Sequence, residues 1–258
     1  MGNPDESDAR GLKSVERSFA IVGYLKEANG ATLSEAADDL GLAVSTAHIH
    51  LTTLVETGYV VKDDDVYRCS FEFLQTGGQR RDDMALYQAA KPELDELQAQ
   101  TGEHTNVMMM ERGYAVQLYK SENPESIDDD ASLGDHFYLH LTATGKAMLA
   151  EYSDERVAEI LEEHGMPALT EDTITDEEVL YEELATIRER GYSINRGEHF
   201  PGVCAIGTAI ASGPDDALGA ISISGPRSRI TPDRIDEELA PALLNKKNII
   251  ELKIRQHG

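Results

Sequence analysis

The chain has no tryptophan, two cysteines and five phenylalanines among its 258 residues. Cys69 and Cys204 cannot build a disulfide framework, and no C-x-x-C pair is present for thiol exchange or metal binding. Lysine is scarce: nine lysines and fourteen arginines face 48 carboxylates, for a net charge of −25. No apolar run approaches the ~18 residues a membrane span needs; Phe19–Leu25 is among the longest. The amino terminus, MGNPDESDARG, is polar and acidic and does not read as a signal peptide. G-x-S-x-G, Walker A and G-x-G-x-x-G are all missing. These absences exclude a membrane protein, a disulfide-stapled secreted domain and the commonest hydrolase and nucleotide-binding designs. The expectation is a cytoplasmic protein that is not an enzyme and needs no cofactor.

What is present bounds the fold. Hydrophobic residues make up 40% of the chain, enough for real cores. At ~100–200 residues per domain, the length suggests two domains. The acidity is spread rather than blocked: residues 1–75 carry 6 basic and 13 acidic groups, residues 76–258 carry 17 and 35. An evenly acidic, lysine-poor surface fits a halophile's protein, kept soluble where concentrated salt screens self-repulsion. The alternative is an ordinary acidic cytoplasmic protein.

Residues 15–28 place Val15, Phe19, Val22 and Leu25 at helical spacing, with Ser14 as candidate N-cap and Gly30 as the stop. Thr32-Leu-Ser-Glu35 is a capping box opening a second helix through Leu40. Gly41 turns the chain into a third helix, about Val44 to Thr57, with Ala47, Leu51 and Leu54 inward. Tyr59–Lys62 and Val66–Ser70 read as strands around an Asp63-Asp64-Asp65 turn. Together these make a winged helix-turn-helix; the competing reading is a small α/β interaction module. From Gly41 to Val55 there is no charge. Ser45, Thr46, His48, Ile49, Thr52 and Thr53 point outward or flank the buried stripe. Small hydroxyls, a hydrogen-bonding ring and apolar groups suit base edges and thymine methyls in a major groove, where carboxylates would repel phosphates. His50 falls near the buried stripe and reads as a packing residue. Lys13, Arg17, Lys62 and Arg68 are candidate phosphate contacts; Arg17 reads equally well as an internal anchor of helix 1.

Gly77-Gly78 separates this module from Gln79–Thr101, a helical stretch in which Pro92 is a candidate break. Residues 105–120 read as a β-hairpin turning at Arg112-Gly113, and Ser193–Arg196, Gly202–Ala211 and Leu218–Ser224 as further strands. Helices fall at Thr144–Glu151, Asp154–Glu163, Asp176–Arg190 and Pro232–Ile254. In Ala220-Ile-Ser-Ile-Ser, the isoleucines face one way and Ser222 and Ser224 the other. The serines form either a polar pocket wall or a solvent-facing strand face. Thr142 sits at the N-cap of a helix whose free amides favour an anion. Lys146 is a carboxylate partner or a solvent-facing helix lysine. His136 and His140 are four apart beside Asp135, but the stretch reads as strand or loop, so no metal site is expected. Cys204 near His199 suggests a thiol nucleophile, yet a lone cysteine in an apolar strand more often packs.

The chain resembles the IclR family of transcriptional regulators from about Gly11 to its end. The first domain carries Lys13-Ser-Val-Glu-Arg17, Leu-Gly-Leu-Ala-Val-Ser-Thr-Ala-His (40–48) and Leu54-Val-Glu-Thr-Gly-Tyr59. The middle carries Gln88-Ala-Ala-Lys-Pro-Glu-Leu and Thr101-Gly; the second domain carries Leu141-Thr-Ala-Thr-Gly-Lys-Ala-Met-Leu-Ala150, Gly191-Tyr-Ser, Gly202-Val-Cys-Ala-Ile and Ala220-Ile-Ser-Ile-Ser-Gly-Pro226. The resemblance implies an α+β architecture: a winged helix-turn-helix (11–75), a helical linker (76–101) and a GAF-like antiparallel-sheet effector domain (102–258). It implies a homodimer or tetramer, with contacts from helix 1 and the linker, on double-stranded operator DNA. It also implies a small organic-acid or sugar-derived effector, a carboxylate metabolite, bound by Phe137, Ala143, Thr144, Asn195, Val203, Ala205, Ser222 and Ser224. One departure stands out: where the family commonly has an arginine after the recognition-helix histidine, this chain has Ile49.

Overall fold

A computed structural model describes residues 11–122, 131–213 and 216–257; the acidic segment 1–10, which argued against a signal peptide, lies outside the described residues. The chain divides into two units, Met1–Arg80 and Arg81–Gly258.

The first unit runs α1 (Lys13–Glu27), β1 (Ala31–Thr32), α2 (Leu33–Asp39), α3 (Val44–Glu56), β2 (Val60–Asp63), β3 (Val66–Cys69) and α4 (Glu72–Asp82). Its antiparallel ribbon has the order β1-β3-β2, and Asp64 supplies the left-handed residue of the β2–β3 turn. The two-residue β1 is too short to read from a period. The capping box forms: Glu35 N donates to Thr32 Oγ1 at 3.3 Å and Thr32 N donates to Glu35 Oε2 at 2.7 Å. Ile21, Leu25, Ala31, Leu51, Val60 and Tyr67 make the core.

Three expectations need correction here. Helix α1 starts at Lys13, with Leu12 as an uncapped first residue, so Ser14 is inside the helix rather than its N-cap. The apolar stripe of α1 splits: Ile21 and Leu25 are buried, whereas Val15 and Phe19 are exposed, Phe19 by 65%. Two overlapping stripes satisfy the same helical spacing, and only packing chooses between them. Gly77-Gly78 is not a break, and a linker starting at 76 would start inside α4. Glycine costs only about 1 kcal/mol against alanine in a helix, which neighbouring residues can offset.

The second unit opens with α5 (Ala85–Thr101) and the hairpin β4 (His104–Glu111) and β5 (Tyr114–Ser121). The hairpin turns at Arg112 and Gly113, both with positive φ, as a right-twisted two-residue turn requires. Then follow β6 (His136–Tyr138), a 3₁₀ turn at Leu139–Leu141, α6 (Ala143–Ala150), α7 (Asp154–His164), α8 (Glu177–Arg190) and β7 (Ser193–Arg196). The chain closes with β8 (Val203–Gly213), β9 (Asp216–Pro226), α9 (Pro232–Arg234), a π turn at Ile235–Leu239 and α10 (Ala240–His257). The π turn interrupts what periodicity reads as one helix. Pro92 lies within α5 without ending it. Burial of Leu86, Ala90, Leu94 and Leu97 along the same helix opposes the roughly 3 kcal/mol a mid-helix proline costs.

The antiparallel sheet has the order β6-β5-β4-β9-β8-β7. Val107, Ile206, Ile210, Ile221 and Ile223 share a core with Leu94, Leu97, Leu243 and Ile250 of α5 and α10. Met108, Ala209 and Ala220 share another with α6, α7 and α8. The sheet is therefore covered on both faces, and the serines of β9 are buried, not solvent-facing.

Buried carboxylates are matched by cations. Glu103 receives Arg229 and Arg234, each at 2.7 Å. Glu93 of α5 receives Lys246 at 2.6 Å and Lys253 at 2.5 Å from α10. Burial pushes the Glu93 carboxyl upward, but the hydrogen bonds from both lysines outweigh it and hold the group below its ordinary range.

Candidate functional site

Two regions hold the chemistry. The first is the outer face of α3. Leu51 and Ala47 are buried and Leu54 is partly buried, so the helix is anchored on one stripe. Ser45, His48, Ile49 and Thr53 are exposed, and Thr46 and Thr52 half-buried at the flanks. Ile49 is 65% exposed, an aliphatic side chain held in water beside an imidazole and hydroxyls. His50 is held from behind, its Nδ1 2.9 Å from Ser18 Oγ of α1, which makes it a packing residue.

The surrounding cations differ. Arg17 is exposed and makes no ion pair among the described residues, so nothing there supports it as an internal anchor. Arg68 is exposed too, its stem against Gly30. Lys62 is partly occupied: its ammonium lies 3.9 Å from Asp65 and 5.2 Å from the centre of the Tyr67 ring.

The second region is a cavity enclosing about 540 Å³, part of it open to solvent. Phe137, Ala143, Thr144, Asn195, Val203, Ala205, Ser222 and Ser224, which no local pattern connects, all line it. They arrive there from β6, α6, β7, β8 and β9. Register explains part of this: Asn195 pairs with Ala205, and Ala205 with Ser224, so the three lie in one row across the sheet.

Helix α6 points its N-terminus at this row. Thr142 caps it, its Oγ1 accepting from Gly145 N at 2.9 Å, which leaves the amides of Ala143 and Thr144 without a partner inside the helix. Strand β7 fixes the position of this end. Ser193 Oγ donates to Ala143 O and Asn195 Nδ2 to Leu141 O, both at 2.5 Å. Gly207 permits the approach: a Cβ there would sit 2.7 Å from Ala143 C and 2.9 Å from Thr144 N. The amides plus the helix dipole form a cradle for one negative charge.

Sequence reasoning missed Asn106, Met108, Gln117, Thr142, His199 and Phe200, which also line the cavity. A signal existed for two of them. Asn106 and Gln117 interrupt apolar strands, in TNVMMM and YAVQLY. Polar residues at inward positions of such strands need a partner, and both are buried here. His199 meets both Phe137 and Phe200 edge to face, at ring-centre distances of 5.2 and 4.1 Å.

Lys146 is neither solvent-facing nor in the cavity wall. It is 1% exposed, and its ammonium meets Glu198 Oε2 at 2.6 Å and donates to Ile194 O at 2.8 Å. All eight residues of α6 are buried, so that helix has no solvent face for a lysine. Burial pushes the Glu198 carboxyl up, with Lys146 opposing. Cys204 is buried on the sheet face opposite the cavity row, and burial raises its thiol pKa, the reverse of an activated nucleophile. His136 Nδ1 donates to Gly134 O at 2.9 Å, and buried His140 donates through Nε2 to Pro167 O at 3.2 Å. Among the described residues no three His, Cys, Asp or Glu side chains are grouped to hold a metal, and no helix is long and apolar enough to cross a membrane.

Two family models match the chain: the IclR helix-turn-helix domain over residues 14–64, and the bacterial transcriptional regulator IclR C-terminal domain over residues 79–249. A Halobacterium salinarum chain named probable HTH-type transcriptional regulator ArcR is 29% identical over 97% of both chains. The crystal structure of the Thermotoga maritima IclR superposes with TM-score 0.79 and 27% identity, over 95% of this chain and 99% of that one. An IclR homologue from Microbacterium hydrocarbonoxydans, complexed with 4-hydroxybenzoate, superposes with TM-score 0.81 over 94% of this chain and 99% of its own, at 23% identity.

Proposed function

The chain belongs to the IclR family of transcriptional regulators, and on that premise we propose that it reads a palindromic operator as a homodimer or tetramer under control of a small carboxylate metabolite. The observation that carries this reading is the presence, in one chain, of two matched features. One is a helix face cleared of carboxylates; the other is a largely apolar cavity, with a few polar groups and no lysine or arginine among its described lining residues, at a helix N-terminus. The first suits DNA, with Ser45, Thr46, His48, Ile49 and Thr52 at base edges and Arg17, Lys62 and Arg68 at phosphates. The second suits a small acid, held by Ala143 and Thr144 and enclosed by the other lining residues. The 4-hydroxybenzoate complex of the Microbacterium hydrocarbonoxydans homologue supports an acid as the class.

Ligand changes operator affinity only by its differential affinity for the two states, so it acts as inducer or co-repressor according to which state it favours. The acidic composition and the Halobacterium salinarum relative support a working interior of concentrated salt. There, counterion release contributes little to affinity, and base contacts carry more.

The test is binding to DNA upstream of the chain's own gene and its neighbours, in about 2 M KCl, beside a His48→Ala/Thr52→Ala variant. Specific binding lost in the variant supports the regulator reading. A result of no specific binding at high or low salt, with or without added acids, overturns the DNA half. A metabolite sensor acting on another protein would then take its place.

A further inference from the structure

We propose a second anion site, separate from the cavity described above, in which Arg196 and Arg227 hold a hydrogen phosphate and Asp172 accepts a hydrogen bond from its P–OH.

Strand β7 is the outer strand of the sheet. Its Ile194 and Arg196 line a cleft of about 520 Å³, partly open to solvent. Among the described residues, none lines both this cleft and the cavity. Two of the carboxylates in its wall are already matched. Lys146 meets Glu198 at 2.6 Å, and Glu183 accepts from Arg190 Nη2 at 2.9 Å. Two guanidiniums are left over. Arg196 is exposed, and its side chain makes no hydrogen bond or ion pair among the described residues. Arg227 faces Asp172 at 3.6 Å, beyond hydrogen-bond reach. Elsewhere in the same unit, Arg156, Arg188, Arg190, Arg229 and Arg234 each meet a carboxylate at 3.0 Å or less. In a chain with 48 carboxylates to 23 cations, two neighbouring arginines without a close one stand out. Their proximity shows at Cys204: burial raises its thiol pKa, and Arg196 and Arg227 both oppose that rise.

Asp172 is fixed beside them. Thr170 Oγ1 donates to Gly197 O and Thr173 Oγ1 to Glu198 O, each at 2.7 Å. These bonds pin the loop carrying Asp172 against the turn after β7. Gly197, at φ +94°, leaves the room: a Cβ there would sit 3.1 Å from Asp172 Oδ2. Two planar guanidinium forks take the oxygens of a tetrahedral oxyanion in pairs. A bare oxyanion would also face the Asp172 carboxylate and be repelled. Hydrogen phosphate turns that repulsion into a hydrogen bond, because it keeps a proton near neutral pH. Sulfate has none there, and a phosphate monoester has largely lost its own.

The experiment is calorimetric titration of the full chain with inorganic phosphate, sulfate and methyl phosphate, at about pH 7.5. It is run in about 2 M KCl, where loose surface pairing is screened. Phosphate should bind saturably, one per chain. Sulfate and methyl phosphate should bind about tenfold weaker or more. Arg196→Gln and Arg227→Gln should each weaken phosphate about tenfold or more; both side chains are exposed, so the fold tolerates the change. Asp172→Asn should weaken phosphate and bring sulfate to within about twofold of it. Phosphate that does not saturate, or that binds both glutamine variants as tightly as the native chain, overturns the site. Sulfate or methyl phosphate binding the native chain as tightly as phosphate overturns the assignment to hydrogen phosphate. The titration uses neither DNA nor an organic acid, so its failure is distinct from failure of the regulator reading.

Discussion

The two units handle acidity in opposite ways. The first keeps carboxylates off α3 as far as Val55, with Glu56 at its last residue, and spends no cation on that helix, so its outer face up to there is neutral and in part apolar. Its fully buried hydrophobic core is small, and Phe19, Ile49, Phe71 and Leu74 remain in solvent. The second unit instead buries carboxylates and matches each with cations: Glu93 with Lys246 and Lys253, Glu103 with Arg229 and Arg234, Glu198 with Lys146. Three of the nine lysines are thus committed to inner ion pairs. Those three mark places where a carboxylate is desolvated. Bulk salt screens such pairs far less than surface ones.

The largest break in that comparison comes from Lys146→Ala. It leaves the Glu198 carboxylate buried without its partner, at an expected cost of about 3–5 kcal/mol. Denaturant unfolding in molar KCl would measure it. The matched control in the other unit is Lys62→Ala, whose contact with Asp65 is exposed and 3.9 Å long; it should cost under about 1 kcal/mol. Lys146→Met with Glu198→Leu should recover most of the loss, because an apolar pair of similar volume leaves no charge to solvate. Equal costs for Lys146→Ala and Lys62→Ala would dissolve the contrast.

Next comes Gly207→Ala, which attacks the close approach of β8 to α6. The added Cβ would press on Ala143 C, Ala143 O and Thr144 N, all within 3 Å and all backbone, so no side chain can swing aside. Overpacking of this kind costs about 1–3 kcal/mol. Acid binding should fall further than stability does, because the displaced atoms are those that carry the free amides. Near-normal acid affinity in Gly207→Ala would remove α6 from the binding site.

How much of this was legible in the sequence follows the same division. Elements set by local chemistry were readable: the Thr32–Glu35 capping box, the Arg112-Gly113 turn and the alternation of Ile221 and Ile223 with the β9 serines. The lining residues became readable through the family resemblance, since apart from Ala143 and Thr144 at the start of α6 and alternate residues of one strand, none of them is near another in sequence. What stayed hidden depended on packing. Val15 and Phe19 satisfy helical spacing as well as Ile21 and Leu25 do. Gly77-Gly78 looks like a break when helix α4 is judged on propensity alone. Lys146 looks like a surface lysine because nothing in ATGKAMLA announces burial on every side. Asn106 and Gln117 were the recoverable misses, being polar residues at inward positions of apolar strands.

A smaller effect separates the units by pH. Because the folded Glu93 carboxyl titrates below its ordinary value, its contribution is present above the unfolded glutamate pKa, about 4.3. It is lost as pH falls through the folded value. Below about pH 4.5 the second unit should therefore lose stability with a slope that Glu93→Gln reduces, read by denaturant midpoints at stepped pH. An unchanged slope would mean that the lysines of α10 do not hold Glu93 ionised.

The smallest expected effect tests whether the first unit recognises DNA without much charge. Lys13, Arg17, Lys62 and Arg68 are its candidate phosphate contacts, so at about 0.9 per contact the slope of log K against log salt should be no steeper than about −4 per half-site. On operator DNA recovered by selection from a random pool, Ile49→Ala should weaken binding about five- to tenfold, the scale of one buried apolar contact. If Ile49 reads a thymine methyl, replacing thymine by uracil throughout that DNA should weaken the native chain by a similar factor and leave Ile49→Ala nearly indifferent. Ile49→Arg should steepen the salt slope by about 0.9 and bind better only in dilute salt. The substitution would then have exchanged a contact that survives concentrated salt for one that does not. A native chain indifferent to the methyl would leave Ile49 as a residue that merely keeps charge away from the groove.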